Sequence, residues 1–387
     1  MGGPAERFRG ALALRRDARA RLVVRSWRQL TSPRRSGRAH AGAGTLVAVS
    51  GGGDSSALGL ALASAAGGQR IVFGHVLHDL RPEAESAADM AAARELAERV
   101  GAPFVWRAVR VRGSGGNAEG LARRLRYAAL VEMARQVGVG FVATGHQADD
   151  QLESVLMAVV RGAGAWGAAG VAARRRLGSG VEVVRPMLGL SRAEARGLCR
   201  LAGWGWREDA SNADAGRLRA ALRAQVTPAL ERIRPGASRR AAVSAGLIGG
   251  AARSLRREAL GAMRRAAVTE APDAAAEIGP VGAGTVVGAG VGDSGETGGM
   301  GGGVGAAWSR AALRSTPGVV VGEMLRIAAR RAGGGGDRLT ARAVGAAARA
   351  ISSQGTQPRV FEWSAVRVRV TAQRVWVEPR RGSRQGA

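Results

Sequence analysis

Val47-Ala48-Val49-Ser50-Gly51-Gly52-Gly53-Asp54-Ser55-Ser56 is an apolar strand running into a glycine turn, with a helical pattern directly behind it. Three glycines in a row mean little in a chain with 60 glycines among 387 residues, and further runs stand at 301–303 and 333–336. The context supplies the weight. A strand–turn–helix joint aims backbone N–H groups and the positive end of the helix dipole at one point, which makes a cradle for phosphate. Ser50, Ser55 and Ser56 add hydroxyls. Asp54 puts a carboxylate at the same place, which is useful only beside a bound cation. The alternative is an ordinary capped turn, with Asp54 or Ser55 as N-cap. Two G-x-G-x-x-G matches lack this setting: 162–167 follows a helix, and 290–295 lies in a low-complexity stretch.

Outward from this turn, strands expected at 45–49, 70–75, 104–111 and 139–144 alternate with helices at 55–66, 84–100, 118–137 and 148–160. That alternation implies an α/β fold, a Rossmann-like doubly wound parallel sheet covered on both faces. Residues 1–42 carry 11 Arg against Glu6 and Asp17 and are expected to be an Arg-rich leader or extension. An organellar transit peptide shares that composition. Apolar Leu12, Leu14, Leu22, Val23, Trp27 and Leu30 favour one or two amphipathic leader helices. Residues 43–232 form the expected α/β domain and 233–265 a helical connector. Residues 266–307 hold no Arg and long Gly/Ala/Val stretches, a low-complexity insert expected to be disordered. Residues 308–387 fit a smaller basic α+β module, with helices at 319–329 and 339–351. There Val366, Val368 and Val370 alternate with Arg367 and Arg369, and Val375-Trp376-Val377 follows. This reads as a strand pair with one basic face.

Composition narrows the chemistry. All 58 basic residues are Arg, against 30 acidic ones, for a net charge of +28. Without Lys there is no Walker-A loop and no Schiff-base chemistry. One cysteine, Cys199, rules out a disulfide framework, a Cys-based zinc site and any two-cysteine relay. No apolar run is long enough to span a membrane, and no secretory signal is visible, so a cytoplasmic protein is expected. A GC-rich coding bias explains the missing Lys, but not a surplus of 28 charges, which suits a polyanion such as nucleic acid.

His146, Asp149, Asp150 and Glu153 follow the fourth strand at helical spacings that bring them near one another. Close carboxylates at strand carboxyl ends suit Mg²⁺, and equally suit a solvated helix start. Arg123 and Arg126 share a helix face and could hold a phosphate, or simply be two of many surface arginines. Asp209-Ala210-Ser211-Asn212 reads as a turn and N-cap, and Arg217, Arg219 and Arg223 as a basic helix face for an RNA backbone.

Ser50-Gly51-Gly52-Gly53-Asp54-Ser55 resembles the SGGxDS signature of the PP-loop (N-type) ATP pyrophosphatases. Within that superfamily, further stretches resemble tRNA(Ile)-lysidine synthetase. They are His75 through Pro82, Asn117-x-Glu119-x-x-Ala122-Arg123-x-x-Arg126-Tyr127, Thr144-x-His146-x-x-Asp149-Asp150-Gln151-x-Glu153, Arg161-Gly162-Ala163-Gly164, Arg185-Pro186-Met187-Leu188, and Asp209 through Arg223. The likeness covers roughly residues 45–230. It departs at Ala220, where the family has Asn, and at Ala163, where it has Ser.

The resemblance implies an ATP-dependent C–N ligase that adenylates the wobble cytidine of CAU-anticodon tRNA(Ile) and joins free L-lysine to it. It makes 43–232 the PP-loop catalytic domain and 308–387 a tRNA-binding module. It implies ATP at Ser50, Gly51, Gly52, Gly53, Asp54 and Ser55, and catalytic roles for Asp54, Arg123, Arg126, Asp150 and Glu153. Mg²⁺ would sit at Asp54, Asp150 and Glu153, and Asp150 and Glu153 could instead meet the lysine ammonium. A homodimer is compatible with it. Among rivals, a tRNA thiolase needs more than Cys199. A small-molecule PP-loop synthetase does not need the +28 charge. A catalytically inactive RNA-binding paralogue would not need an intact SGGxDS loop.

Overall fold

The computed structural model describes residues 10–32, 44–65, 70–80, 82–111, 118–207, 218–268, 306–333, 341–363 and 365–380. Most of the 266–307 insert, Arg81, Asn117, Glu208 through Arg217, and Thr340 lie outside the described residues. The chain divides into two compact units. The first runs to Met157 and takes up again over Ala169–Gly246; the second comprises Ala158–Ala168 and the chain from Leu247.

Six strands build the first unit's sheet: β1 Thr45–Ala48, β2 Ile71–His78, β3 Phe104–Val109, β4 Phe141–Ala143, β5 Arg174–Gly178 and β6 Val181–Val184. Their order is β3-β2-β1-β4-β6-β5, all parallel except the edge strand β5. The fold is thus the expected doubly wound sheet. Apolar side chains alternate between its two faces. Val47, Phe73, Phe141 and Ala143 enter one core cluster, while Leu46, Val72, Val142 and Val183 enter the other. Both faces are covered, so the strand sequences are continuously apolar.

On the first face lie α1 Ala11–Arg16, α2 Ala18–Thr31, α3 Gly53–Ser64 and α8 Arg192–Leu201. The second face is covered by α5 Ala118–Gln136, through Tyr127, Leu130 and Met133. Helix α4 is Glu83–Val100, α6 is Ala148–Val160 and α7 is Ala165–Ala168. Helix α3 starts two residues earlier than the sequence spacing suggests. It is buried nearly all round because the sheet lies on one side and other helices on the rest. Gly59 serves that packing: a Cβ there would stand 2.6 Å from the Phe73 ring.

The β5–β6 hairpin is absent from the sequence-based outline. Strand β5 reads Arg-Arg-Arg-Leu-Gly, without apolar alternation, and it is an edge strand held by pairing and by the Arg174–Glu182 ion pair. After α8 come α9 Leu218–Ala221, a π-helical turn Leu222–Val226, α10 Thr227–Ile233 and the 30-residue α11 Ala237–Ala266.

The second unit holds an antiparallel sheet, β7 Ala306–Ser309, β10 Arg374–Pro379, β9 Val366–Val370 and β8 Arg359–Trp363, in that spatial order. Helices α12 Arg310–Arg314, α13 Gly318–Arg331 and α14 Ala341–Ser352 complete it. Val366, Val368, Val370, Val375 and Val377 point into the core, as their alternation requires. The opposite face is less basic than expected. Arg367 pairs with Glu362 at 2.9 Å and Arg369 with Glu378 at 3.3 Å, carboxylates that register brings across from neighbouring strands. Arg310 is buried and donates to the carbonyls of Ala350, Ile351, Ser353, Gly355 and Thr371, closing the end of α14.

Among the described residues no helix is long and apolar enough to cross a membrane. Trp27 of α2 is 0% exposed and donates from Nε1 to Thr45 Oγ1 at 3.0 Å, tying the leader to β1. Trp27→Ala should therefore destabilise the first unit by about 3–5 kcal/mol, measurable as a lower midpoint in denaturant at unchanged slope.

Candidate active site

Strand order reverses beside β1: β2 and β3 extend to one side, β4 and β6 to the other. The loops leaving β1 and β4 therefore diverge and open a crevice at the strand carboxyl ends, the usual ligand position in such sheets. Ser50–Ser55 lie on the first loop and His146–Glu153 on the second.

Hydrogen bonds within the glycine loop fix its shape. Ser55 Oγ accepts from Ser50 N at 3.0 Å and donates to the Gly52 carbonyl at 3.0 Å, with the Ser50 hydroxyl 3.1 Å away. Gly51 has φ +82°, and a Cβ there would lie 3.0 Å from the Asp89 carbonyl oxygen, so only glycine fits. Returning chain pins the loop from outside, as Arg207 N donates to the Gly51 carbonyl at 3.2 Å and Arg207 Nε reaches Asp89 at 2.8 Å. His75, kept neutral by burial, lies 2.9 Å from the Val49 carbonyl through Nδ1.

The N-cap of α3 is Gly52, without a side-chain cap, which removes the reading of Asp54 or Ser55 as N-cap. First-turn amides have no intrahelical acceptor, and the helix dipole adds positive potential. A cavity of about 180 Å³ opens here, lined by Ser50, Gly52, His78, Asp89, Arg126 and Arg207 among others.

The second loop touches the first. A Cβ on Gly145 would stand 3.0 Å from the backbone of Asp54 and Ser55. Gln147 then bridges the two: its Nε2 donates to Asp54 Oδ2 at 2.9 Å and its backbone N to Asp150 Oδ2 at 2.9 Å. Burial, with Asp150 nearby, pushes the Asp54 carboxyl up to about 6, although Arg192 opposes the shift. Asp54 Oδ1 is buried and has no hydrogen-bond partner.

Glu153 is 0% exposed and accepts from Arg223 Nε at 2.8 Å and Arg219 Nε at 2.9 Å. Asp150 Oδ1 accepts from Arg219 at 3.1 Å and Arg223 at 3.2 Å. Arg192 sits 3.7 Å from Glu153 and 3.8 Å from Asp54. Burial works against the charge of Arg223, but Glu153, Asp150 and Asp54 outweigh it and hold the guanidinium ionised. Arg219 and Arg223 are thus committed to these carboxylates, where the sequence suggested a free basic face; Arg217 lies outside the described residues. Asp149 has a different task, accepting from Arg192 N at 2.8 Å at the start of α8.

The two arginines of α5 divide. Arg126 reaches the loop cavity, while Arg123 is absent from its lining. Both stand over the Tyr127 ring, at 5.7 and 5.5 Å from its centroid, with Arg175 at 5.3 Å and Arg185 donating to Tyr127 Oη at 3.0 Å. His146, 2.9 Å from Thr144 Oγ1, is pushed down to about 2 by burial and by these positive neighbours, so its imidazole is neutral.

Among the described residues no group of three or more His, Cys, Asp or Glu side chains gathers as a metal site. Asp54 fits Mg²⁺ through its unpartnered Oδ1. The Asp150 and Glu153 carboxylates are engaged by Arg219 and Arg223, so a cation there would have to replace guanidiniums. Cys199 lies beneath the loop, with Sγ 3.4 Å from the Gly53 carbonyl. Burial pushes it up to about 12, which keeps it a thiol.

The profile of the PP-loop domain family matches residues 23–230. The chain belongs to that family. Its relatives include the tRNA(Ile)-lysidine synthase of Thermus thermophilus, 42% identical over 198 residues, covering 50% of this chain and 37% of that protein. The enzyme of the same name from Salinispora tropica is 43% identical over 188 residues, 48% of this chain and 56% of its own. That of Symbiobacterium thermophilum is 39% identical over 201 residues, 51% and 41%. The PP-loop chain thus spans between about a third and just over half the length of these relatives.

Sequence reasoning passed over Gln147 and Arg192 and misread Arg219 and Arg223. The last two carried a readable signal: an i, i+4 arginine pair matches the i, i+3 spacing of Asp150 and Glu153, so two forks can each engage both carboxylates. Arg192 gave none, since its proximity to Asp54 and Glu153 is purely tertiary.

Asp54 gives this PP-loop a pH signature. Its folded value, about 6, lies above the unfolded value near 3.9, so the unfolded chain ionises first as pH rises. Stability should fall between about pH 4 and 6, and the penalty should be complete above that. Asp54→Asn should remove about 1–2 kcal/mol of this loss after allowance for solvent screening, read from chemical denaturation at about pH 4 and 7.5.

Proposed function

We propose that this PP-loop protein acts as a tRNA(Ile)-lysidine synthase in the cytoplasm, as a monomer or homodimer. ATP activates the C2 oxygen of the wobble cytidine in a CAU anticodon, with release of pyrophosphate. The amine of free L-lysine then forms the new bond to C2 as the C2–O bond breaks, and AMP departs with that oxygen. The observation that carries the ATP step is the uncapped N-terminus of α3 beside the unpartnered Asp54 Oδ1. The names of the relatives support tRNA(Ile) as the substrate, and free lysine is part of the proposal.

In this reading the amides of Gly53 and Asp54, with the Ser50 hydroxyl, receive the pyrophosphate oxygens. Mg²⁺ would be held at Asp54 and would screen the phosphate charge. Arg126, facing the same cavity, stabilises charge on the phosphate that stays with the base, and Arg123 backs it across Tyr127. Asp150 and Glu153 receive the lysine ammonium once Arg219 and Arg223 turn toward the anionic substrates. Catalysis is then mainly positioning and charge neutralisation. The second unit, with α11, offers surface for the rest of the tRNA.

Incubating the protein with CAU-anticodon tRNA(Ile) transcript, ATP and labelled lysine should give ATP-dependent lysine in the RNA. Asp54→Ala should lower the rate by about 10²-fold or more. No incorporation by the wild type, or an Asp54→Ala variant as fast as the wild type, refutes the proposal.

A further inference from the structure

The face of α2 turned away from the sheet carries a stripe of arginines along a groove. Leu14, Ala20 and Val24 floor a groove of about 550 Å³, and Arg15, Arg21, Arg25 and Arg28 line it with no carboxylate among its walls. Arg21, Arg25 and Arg28 are spaced i, i+4 and i+7, one stripe on one helix, and all three are exposed. Arg28 donates to the Ala65 carbonyl at 3.0 Å and Arg15 to that of Ser64, so two guanidiniums are anchored at the end of α3. The guanidiniums of Arg21 and Arg25 have no partner among the described residues. Asp17, the acid nearest in sequence, is taken by Arg19 at 2.7 Å.

Like charges stacked at these spacings destabilise a helix, and a face that merely needed solvation would alternate them with acids. An anion lying along the stripe would relieve that repulsion. Its place in the fold says how large that partner is. The groove lies at the carboxyl end of α3, whose amino end carries the glycine loop. Twelve residues of helix separate them by about 18 Å. A nucleotide in the active site cannot reach it, whereas a folded RNA can.

We propose that the Arg21–Arg25–Arg28 stripe is an RNA-backbone contact surface, gripping phosphates of the tRNA at a point remote from the reacting base. The identity of the RNA rests on the lysidine reading; the contact itself does not, and it is measured without ATP or lysine.

The test is equilibrium binding of full-length tRNA across a range of salt concentrations. The Arg21→Gln/Arg25→Gln/Arg28→Gln variant should bind on the order of tenfold more weakly at low salt. Its log–log salt slope should be shallower by about 2–3, the share of three lost phosphate contacts. The triple Arg→Lys variant should keep binding, because phosphate accepts either cation. A control lacking three scattered exposed arginines, Arg94, Arg110 and Arg135, should stay close to wild type, and circular dichroism melts should match throughout.

The proposal is overturned if the Gln variant keeps wild-type affinity and slope, if the scattered control loses as much, or if the wild type binds no tRNA. It is also overturned if the stripe governs binding to phosphatidylglycerol vesicles and not to RNA. Failure of lysine transfer by a protein whose tRNA binding needs the stripe would sink the lysidine reading alone.

Discussion

Strand order in the parallel sheet reverses beside β1, and that constraint sets where the glycine loop and the acidic helix meet. Because β2 and β4 lie on opposite sides of β1, the loops after β1 and β4 part at their bases and meet again where Gly145 approaches Asp54 and Ser55. Backbone amides come from one loop and carboxylates from the other. Gln147 then clamps the two together by a bond to each acid. The phosphate cradle and the acidic helix are thus products of one topological fact.

The crevice so formed runs against the character of the chain. A molecule of net charge +28 concentrates Asp54, Asp150 and Glu153 in one place and covers them with Arg192, Arg219 and Arg223. Glu153 is fully buried, and its guanidinium partners replace the hydration it has lost. The planar fork of arginine lets each of two side chains engage both carboxylates from fixed donor positions, where an ammonium offers a single point charge. Such a cluster contributes little net stability but is costly to break from one side. It fixes the two acids in one place and orientation.

Much of this was legible from the residues. The glycine turn could be read because strand, turn and helix are contiguous, and the alternation of strands and helices announced the doubly wound sheet. What escaped was tertiary. Arg219 and Glu153 meet across 66 residues of sequence. Strand β5 has the composition of a loop, and only its pairing to β6 makes it a strand. On β9 the arginines looked free because Glu362 and Glu378 come from neighbouring strands, whose register no local pattern reveals.

Helix α3 is confined on nearly every side, with the Phe73 ring against Gly59 and Cys199 wedged beneath Gly53. A seat built that way behaves as an anvil. It cannot fold down over what lands on it, so any accommodation of a ligand falls to the groups that face it. In the proposed reaction the groups that would have to give way are Arg219 and Arg223, carried on a short helix and a π-turn.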